Sequence, residues 1–332
     1  MRQLLKTGGG DFLPFFPLKM NKNEMIDSAE SCWRSGNYAE AIELCREIHR
    51  VSPDEDSVTL LLAWALYDSG RTAEAVACLE SLLEKELQGS VFTGFAFDEL
   101  TRIFKNQKNH AGLIAVCEKA LQVQPHDAGL LQELGLAYLL AGRAKEALAI
   151  FRKLTVLDPD NASYCALSGK AFFAQGLHQE SEEAFFRAAE LENDQPDKYF
   201  FPLALLFQEA GNLSRAKELL QKCLAAAPDN PLYHCSFGDL LIGARQIKEA
   251  FASYDKAAGL DSGAAGAFYN RLGNSLLKAG YSEEAAGAYQ TALAYDKTRL
   301  YYLNLAAAYS AAGNDYLARE MNQLAEALSS PA

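Results

Sequence analysis

The stretch LGLAYLLAGRAKEALAIFRKLTVLDPDN, Leu134 to Asn161, carries apolar residues at helical spacing on both sides of a glycine and ends near a proline. Leu131, Leu134, Gly135 and Tyr138 fall at i, i+3, i+4 and i+7, and Ala147, Leu148, Phe151 and Leu154 repeat the pattern after Gly142. The spacing predicts a helix, a turn and a helix. Gly142 can adopt the left-handed conformation that closes the first helix. Asp158-Pro159 closes the second, because the residue before proline is pushed out of the helical region. Small Gly135 and Ala147 let the two helices approach closely.

The same punctuation recurs along the chain. Glycines ahead of a second helix stand at Gly36, Gly70, Gly142, Gly176, Gly211, Gly280 and Gly313, at intervals of 34, 72, 34, 35, 69 and 33. The two long intervals are each about two periods. At the skipped places the chain has Lys108 and Arg245 in phase, and the helix-pair pattern runs on through both. Pro53, Pro125, Pro159 and Pro228 keep the same phase, at separations of 72, 34 and 69.

A period of this length, with a small residue in the first helix, Ala-x-x-x-aromatic in the second and a closing proline, resembles the tetratricopeptide repeat. Leu134-Gly135, Tyr138, Ala147, Phe151 and Pro159 carry the resemblance in the opening stretch. Tyr269, Leu272-Gly273, Ala285, Tyr289 and Ala292 carry it again, as do Gly36-Asn37-Tyr38, Ala41 and Pro53, and Tyr302, Leu305, Tyr309 and Gly313. It implies an all-α fold, a right-handed α–α solenoid of about nine helix-turn-helix repeats. The repeats fill residues 22–329 as one continuous domain, between a tail at 1–21 expected to be disordered and a short tail at 330–332. Two copies depart from the pattern. The second has Leu87 in place of the terminal proline, with extra residues around Gly89 to Thr93 that predict a longer connection. The third has Thr101 where the small residue belongs and Leu113 in place of alanine.

Each helix pair is too small to bury its apolar face alone and gains stability from its neighbours. A chain of 332 residues with one globular core would be expected to divide into domains. A stack of repeats has no such limit, and the 49% apolar content is spread evenly.

The net charge is −12, from 31 Lys and Arg against 43 Asp and Glu, with no basic run to neutralise phosphates, so nucleic-acid binding is disfavoured. No apolar segment reaches the roughly 20 residues of a membrane span. A cytoplasmic setting is the expectation. Residues 1–20, MRQLLKTGGGDFLPFFPLKM, stand outside the repeats. Their apolar parts are interrupted by Gly8-Gly9-Gly10, Asp11 and two prolines, unlike a signal peptide, and no Gly-Lys-Ser/Thr follows to make a phosphate loop. They read as a loose tail, as an over-extended start with Met20 the initiator, or as a segment whose Phe12, Phe15 and Phe16 dock on the protein itself.

Seven cysteines, Cys32, Cys45, Cys78, Cys117, Cys165, Cys223 and Cys235, form no C-x-x-C pair, and their odd number suggests neither a zinc site nor a full disulfide set. Cys45 and Cys117 occupy the place of Phe151 in the repeat and Cys223 that of Leu154, so they read as small core hydrophobes. The histidines are isolated. His234 adjoins Cys235, but neighbours on a helix point about 100° apart and do not face each other. No segment outside the repeat supplies an acid, base or nucleophile, and no cofactor, metal or catalytic residue is expected. Carboxylates such as Glu146, Glu180 and Glu283 at the starts of second helices suit the helix dipole.

A second stripe on the first helices remains unassigned by pair packing. In tetratricopeptide repeats it lines a concave groove for a partner segment, so the resemblance implies that role here. The residues in phase are Ile26, Glu30 and Trp33, then Leu60, Trp64 and Tyr67, then Asp98, Arg102 and Lys105. Leu136 and Leu139, Lys170 and Phe173, Phe201 and Leu205, and Asp239 and Ile242 follow, and Asn270, Asn274 and Leu277 with Leu303 complete the series. Such a lining suits an amphipathic helix or an extended apolar peptide, with Trp33, Trp64 and Phe173 as anchors; the same residues could instead pack between adjacent repeats. Some family members grip an acidic chaperone tail through Lys, Asn and Arg. Here Asn274 and Asn304 match two asparagines of that clamp, but Asn270 stands in place of Lys and no further repeat follows. The expected function is a non-enzymatic scaffold or adaptor that binds a protein partner and assists assembly of a multiprotein complex. The alternatives are a self-assembling structural protein whose partner is another copy, and a regulatory subunit of an enzyme on another chain, such as a glycosyltransferase.

Overall fold

In the computed structural model, residues 21–89 and 94–328 are described; the expectations for the N-terminal tail lie outside them. Among the described residues there are eighteen helices and no strands. They pair in chain order as nine hairpins. The first three are α1 (Lys22–Arg34) with α2 (Tyr38–Val51), α3 (Asp56–Asp68) with α4 (Thr72–Gln88), and α5 (Phe95–Asn106) with α6 (His110–Val123). Next are α7 (Ala128–Leu140) with α8 (Ala144–Leu157), α9 (Ala162–Ala174) with α10 (His178–Leu191), and α11 (Asp197–Glu209) with α12 (Leu213–Ala226). The last are α13 (Pro231–Gly243) with α14 (Ile247–Leu260), α15 (Ala265–Lys278) with α16 (Ser282–Tyr295), and α17 (Arg299–Ala311) with α18 (Asp315–Ala327).

Every hairpin turns in the same way. The second residue after the first helix is left-handed, with φ between 72° and 87° at the seven glycines, and Lys108 (54°) and Arg245 (61°) take the same region. Its N–H donates to the carbonyl three residues back, and the next N–H reaches the carbonyl five residues back, as in Gly36 to Trp33 and Asn37 to Cys32. These two bonds satisfy carbonyls that the helix end leaves open. At the other ends, Asn21, Asn109, Asn161, Asn212, Asn230 and Asn314 accept from backbone N–H groups of the first helical turn. Asn21 forms a reciprocal capping box with Glu24.

The chain divides into two compact units, one through Ala137 and one from Tyr138, with the border inside α7. Both follow one rule: a second helix packs on its own first helix and on the first helix of the next hairpin. In the N-terminal unit α2 lies on α1 and α3, and α4 on α3 and α5; in the C-terminal unit α10, α12, α14 and α16 do the same. The side chain nine residues beyond the left-handed turn sits at the centre of this contact. Cys45, Leu79, Cys117, Phe151, Phe185, Leu220, Tyr254 and Tyr289 hold that place, none more than 1% exposed. Where the side chain is a ring, the facing first helix carries glycine: a Cβ at Gly169, Gly238 or Gly273 would lie 2.6–2.7 Å from Phe185, Tyr254 or Tyr289.

The irregular third hairpin packs α6 on α5. Leu113 is buried, and Thr101 is buried with its hydroxyl donating to the Asp98 carbonyl at 2.8 Å, so its polar atom is satisfied within the helix. Gly94 opens α5 in the left-handed region, and the Glu86 carboxylate accepts from the Ala96 N–H at 3.4 Å.

Left-handed backbone costs a residue with a Cβ about 1–2 kcal/mol. Lys108→Gly and Arg245→Gly should each therefore raise unfolding free energy, by about 1 kcal/mol after glycine's greater unfolded-state entropy is set against the gain. Urea denaturation checks this, and a fall in the midpoint for both variants would refute it.

Candidate functional site

In the N-terminal unit the expected stripe is assembled by contacts between first helices. Trp33 of α1 stacks on Trp64 of α3, with centroids 5.3 Å apart and planes 26° from parallel. The Trp33 indole N–H donates to Asp68 at 2.8 Å. One hairpin further, the Arg102 guanidinium of α5 lies 5.1 Å from the Tyr67 ring centroid, and the Asn106 amide approaches the Tyr67 hydroxyl at 3.5 Å. Ile26, Trp33, Leu60, Trp64, Tyr67 and Leu136 are half-buried and Arg102 is exposed, so the aromatic faces are partly covered by one another and partly open. Lys105 pairs with Glu133 at 2.7 Å.

In the C-terminal unit the stripe is more divided. Phe173 packs edge-on to Phe207 at 5.1 Å and near His178 at 4.6 Å, and Phe201 lies 5.0 Å from Tyr233. Leu139, Phe173, Phe201, Leu205, Leu277 and Leu303 are half-buried, and Lys170 is exposed. Ile242 is a correction: it is 3% exposed, within the core cluster that holds Tyr269, Leu272 and Leu276 of α15, because α13 packs directly on α15. It is not available to line a groove.

The asparagines at the C-terminal end of the stripe are held by neighbours. Asn304 donates to Asn270 at 2.8 Å, and Asn274 accepts from the buried Tyr289 hydroxyl at 2.7 Å. Both asparagines that match a chaperone-tail clamp are thus held by neighbours. Asp239 is the hub of a network that sequence reasoning missed. It accepts from the Tyr254 hydroxyl (2.5 Å), the Ser275 hydroxyl (2.6 Å) and the Arg271 guanidinium (2.6 and 3.0 Å), while Arg271 also donates to Ser236. Burial first, then the Asp239 carboxylate, pushes the Tyr254 phenol far above its ordinary range. The signal was present as spacing: Asp239 to Arg271, Asp239 to Ser275, Asn270 to Asn304, Trp33 to Asp68 and Glu182 to Arg215 are separated by 32 to 36 residues, one repeat in each case.

The cysteines behave as core side chains. Cys45, Cys117, Cys223 and Cys235 are buried, and burial pushes the thiols of the first three up to about 12 and that of Cys235 to about 11. His234 is buried beside Cys235 but its ring Nε2 lies 2.8 Å from the Pro228 carbonyl oxygen. Among the described residues no group of three His, Cys, Asp or Glu is placed to hold a metal, and no helix is long and apolar enough to cross a membrane.

With the hairpins and their shared turn established, comparison with known proteins gives the family. A tetratricopeptide repeat profile matches residues 33–91 and 107–171, and a second one matches 201–265. The chain belongs to the tetratricopeptide repeat family. Human protein O-mannosyl-transferase TMTC1 is 25% identical over 196 residues, which are 57% of this chain and 21% of that protein. The peroxisomal targeting signal receptor of Candida albicans is 22% identical over 282 residues, 82% of this chain and 46% of the receptor. Among solved structures, the Cut9–Hcn1 hetero-tetramer of APC/C aligns with 92% of this chain and 53% of its own at 17% identity and TM-score 0.41. MamA aligns with 50% of this chain and 91% of its own at 23% identity and TM-score 0.38. The chain thus spans about a fifth of the human transferase and less than half of the receptor.

Two outcomes test the chemistry of these repeats. Asp239→Ala should destabilise the chain by about 2–3 kcal/mol, because it leaves the Tyr254 hydroxyl and part of the Arg271 guanidinium unpaired; a change under about 0.5 kcal/mol in urea melts, the size of an ordinary surface substitution, would refute the hub. A raised pKa lowers the thiolate fraction at a given pH, so with iodoacetamide at pH 8 Cys45, Cys117, Cys223 and Cys235 should stay unlabelled until urea unfolds the chain. Mass spectrometry of tryptic peptides reads this site by site.

Proposed function

We propose that this chain is a non-enzymatic scaffold that holds a peptide or an amphipathic helix of a protein partner on the first-helix face and so helps assemble a multiprotein complex. Tetratricopeptide repeat proteins mediate protein–protein interactions, and the finer assignment to this face rests on one observation. Trp33, Trp64 and Tyr67 are gathered on α1 and α3 yet left half-open, an arrangement that matches the aromatic anchors of binding surfaces rather than a closed core. Phe173, Phe201 and Leu205 give the C-terminal unit a smaller patch of the same kind.

A second reading has its own support. The stretch similar to the O-mannosyl-transferase raises the case in which these repeats recruit substrate for an enzyme carried on another chain. In both readings the repeats bind and do not catalyse.

The test compares capture of partners by the purified chain with capture by Trp64→Ala and by Phe173→Ala/Phe201→Ala, each checked for helix content by circular dichroism. Loss of a specific partner from a folded variant supports the face. Equal recovery by all three chains would move binding to the second-helix side, and transferase activity in the recovered complex, absent from this chain alone, would favour the second reading.

A further inference from the structure

The aromatic face of the N-terminal unit holds one guanidinium of its own. Arg102 lies 5.1 Å from the Tyr67 ring centroid, and its Nε and Nη2 both donate to Glu99, at 2.9 and 2.7 Å. An aromatic ring and a carboxylate together replace the water that a planar cation gives up. One hairpin earlier the same two kinds of group stand together without a cation. Trp33 and Trp64 stack at 5.3 Å and are half-buried, and the exposed Asp68 accepts the Trp33 indole N–H through Oδ2 at 2.8 Å. Its Oδ1 accepts no hydrogen bond among the described residues.

The cations of this face are already committed. Arg34 pairs with Glu30 (2.9 Å), Arg71 with Glu74 (2.7 Å), Arg102 with Glu99 (2.7 Å) and Lys105 with Glu133 (2.7 Å). Each pair is neutral, so Arg102 beside Tyr67 presents little net charge to a group arriving at the tryptophans. Asp68 pairs with no lysine or arginine among the described residues. Residues 21–137 carry 10 Lys and Arg against 19 Asp and Glu, so the sign of the unmatched charge is negative.

We propose that the Trp33–Trp64 pair and Asp68 receive an arginine of the protein partner, its guanidinium lying on the open indole surface and donating to the Asp68 carboxylate. The assignment rests on the proposed function of this face and names the side chain that the face recognises. Tryptophan is the best of the aromatic rings for holding a cation. Arginine rather than lysine follows from shape. A guanidinium lies flat on a ring while its edge donates to a carboxylate, whereas an ammonium is a compact, strongly hydrated charge. The bond from Trp33 holds the carboxylate beside the rings before any partner arrives, which leaves less side-chain freedom to lose on binding.

The test uses the full chain and three synthetic peptides: an alanine–leucine helix carrying two arginines, and the same helix with citrulline or with lysine in their place. Trp33 and Trp64 are the chain's whole tryptophan content, so intrinsic emission reports this site. The expected result is a saturable change in emission with the arginine peptide, at an affinity about tenfold above that of the neutral citrulline peptide. Asp68→Asn, which keeps an acceptor for the Trp33 N–H but no charge, should lose most of that difference at unchanged circular dichroism, and Asp68→Glu should retain part of it. No saturable change with the arginine peptide, equal affinity for the arginine and citrulline peptides, or an undiminished difference in Asp68→Asn overturns the proposal. A lysine peptide that binds as tightly as the arginine peptide also overturns it, by assigning the site to charge alone. Capture of a partner that depends on Trp64 but not on Asp68 would leave the proposed function standing and remove only the arginine.

Discussion

The structure depends on one side chain per hairpin, the one nine residues beyond the left-handed turn. In eight hairpins it is excluded from solvent, and in α2, α4, α10, α12, α14 and α16 it lies on a helix that meets both its own first helix and the next. Its size sets the helix spacing. Phe185, Tyr254 and Tyr289 face glycines whose Cβ would enter the ring, whereas Cys45 shares a buried cluster with Ala29. A ring at this place is accommodated only against glycine, because a close-packed interior has no room for both the ring and a Cβ. The ninth hairpin is the exception. Asn322 holds the place, is exposed, and leaves a hollow of about 500 Å³ beside Leu303, Ala306, Ala318 and Arg319.

Apolar packing brings hairpins together but does not by itself set their register; polar contacts one repeat apart add that information. Arg215 chelates Glu182 across the gap from α10 to α12, and Arg271 reaches from α15 to Asp239 on α13. Exposed pairs such as Lys22–Glu55 and Lys85–Asp56 are worth roughly 0–1 kcal/mol each. The Asp239 network differs because the Tyr254 hydroxyl at its centre is buried and its alternatives are few. A slip of one residue between α13 and α15 would strand that hydroxyl and the Asp239 carboxylate together. A polar network of this kind specifies alignment more than it adds stability.

The turns were legible because their requirement is local. Only a left-handed residue closes a helix in this way, so glycines recurring in phase from Gly36 to Gly313 mark the hairpins together, and phase was strong enough to place Lys108 and Arg245 where glycine was missing. Cys45, Cys117 and Cys223 were readable as core by the same phase. The stripe on the first helices was less legible. Its residues face sideways, and sideways on a first helix can mean solvent or the neighbouring first helix. Trp33 and Trp64 turn out to meet each other, whereas Ile242 is covered by α15. A periodicity in one helix cannot separate these cases, because the covering atoms belong to a helix some 34 residues away. The search that would have helped pairs each residue with the one a full period later, where Asp239 meets Arg271 and Asn270 meets Asn304.

The same rung-by-rung comparison bears on where apolar partners can bind. On second helices several residues six and thirteen beyond the left-handed residue are apolar and buried, among them Ile42, Ile114, Leu148, Ala286, Leu83, Ala189 and Ala258, while Glu182 at the first of these rungs pairs with Arg215 of the next hairpin. On α18 those rungs carry Arg319 and Glu326, both exposed. On α1 the rungs that elsewhere hold buried Val58, Leu61 and Ala65 carry Glu24, Asp27 and Ser31, again exposed. On the first helices the half-open aromatic residues gather most densely around Trp33 and Trp64.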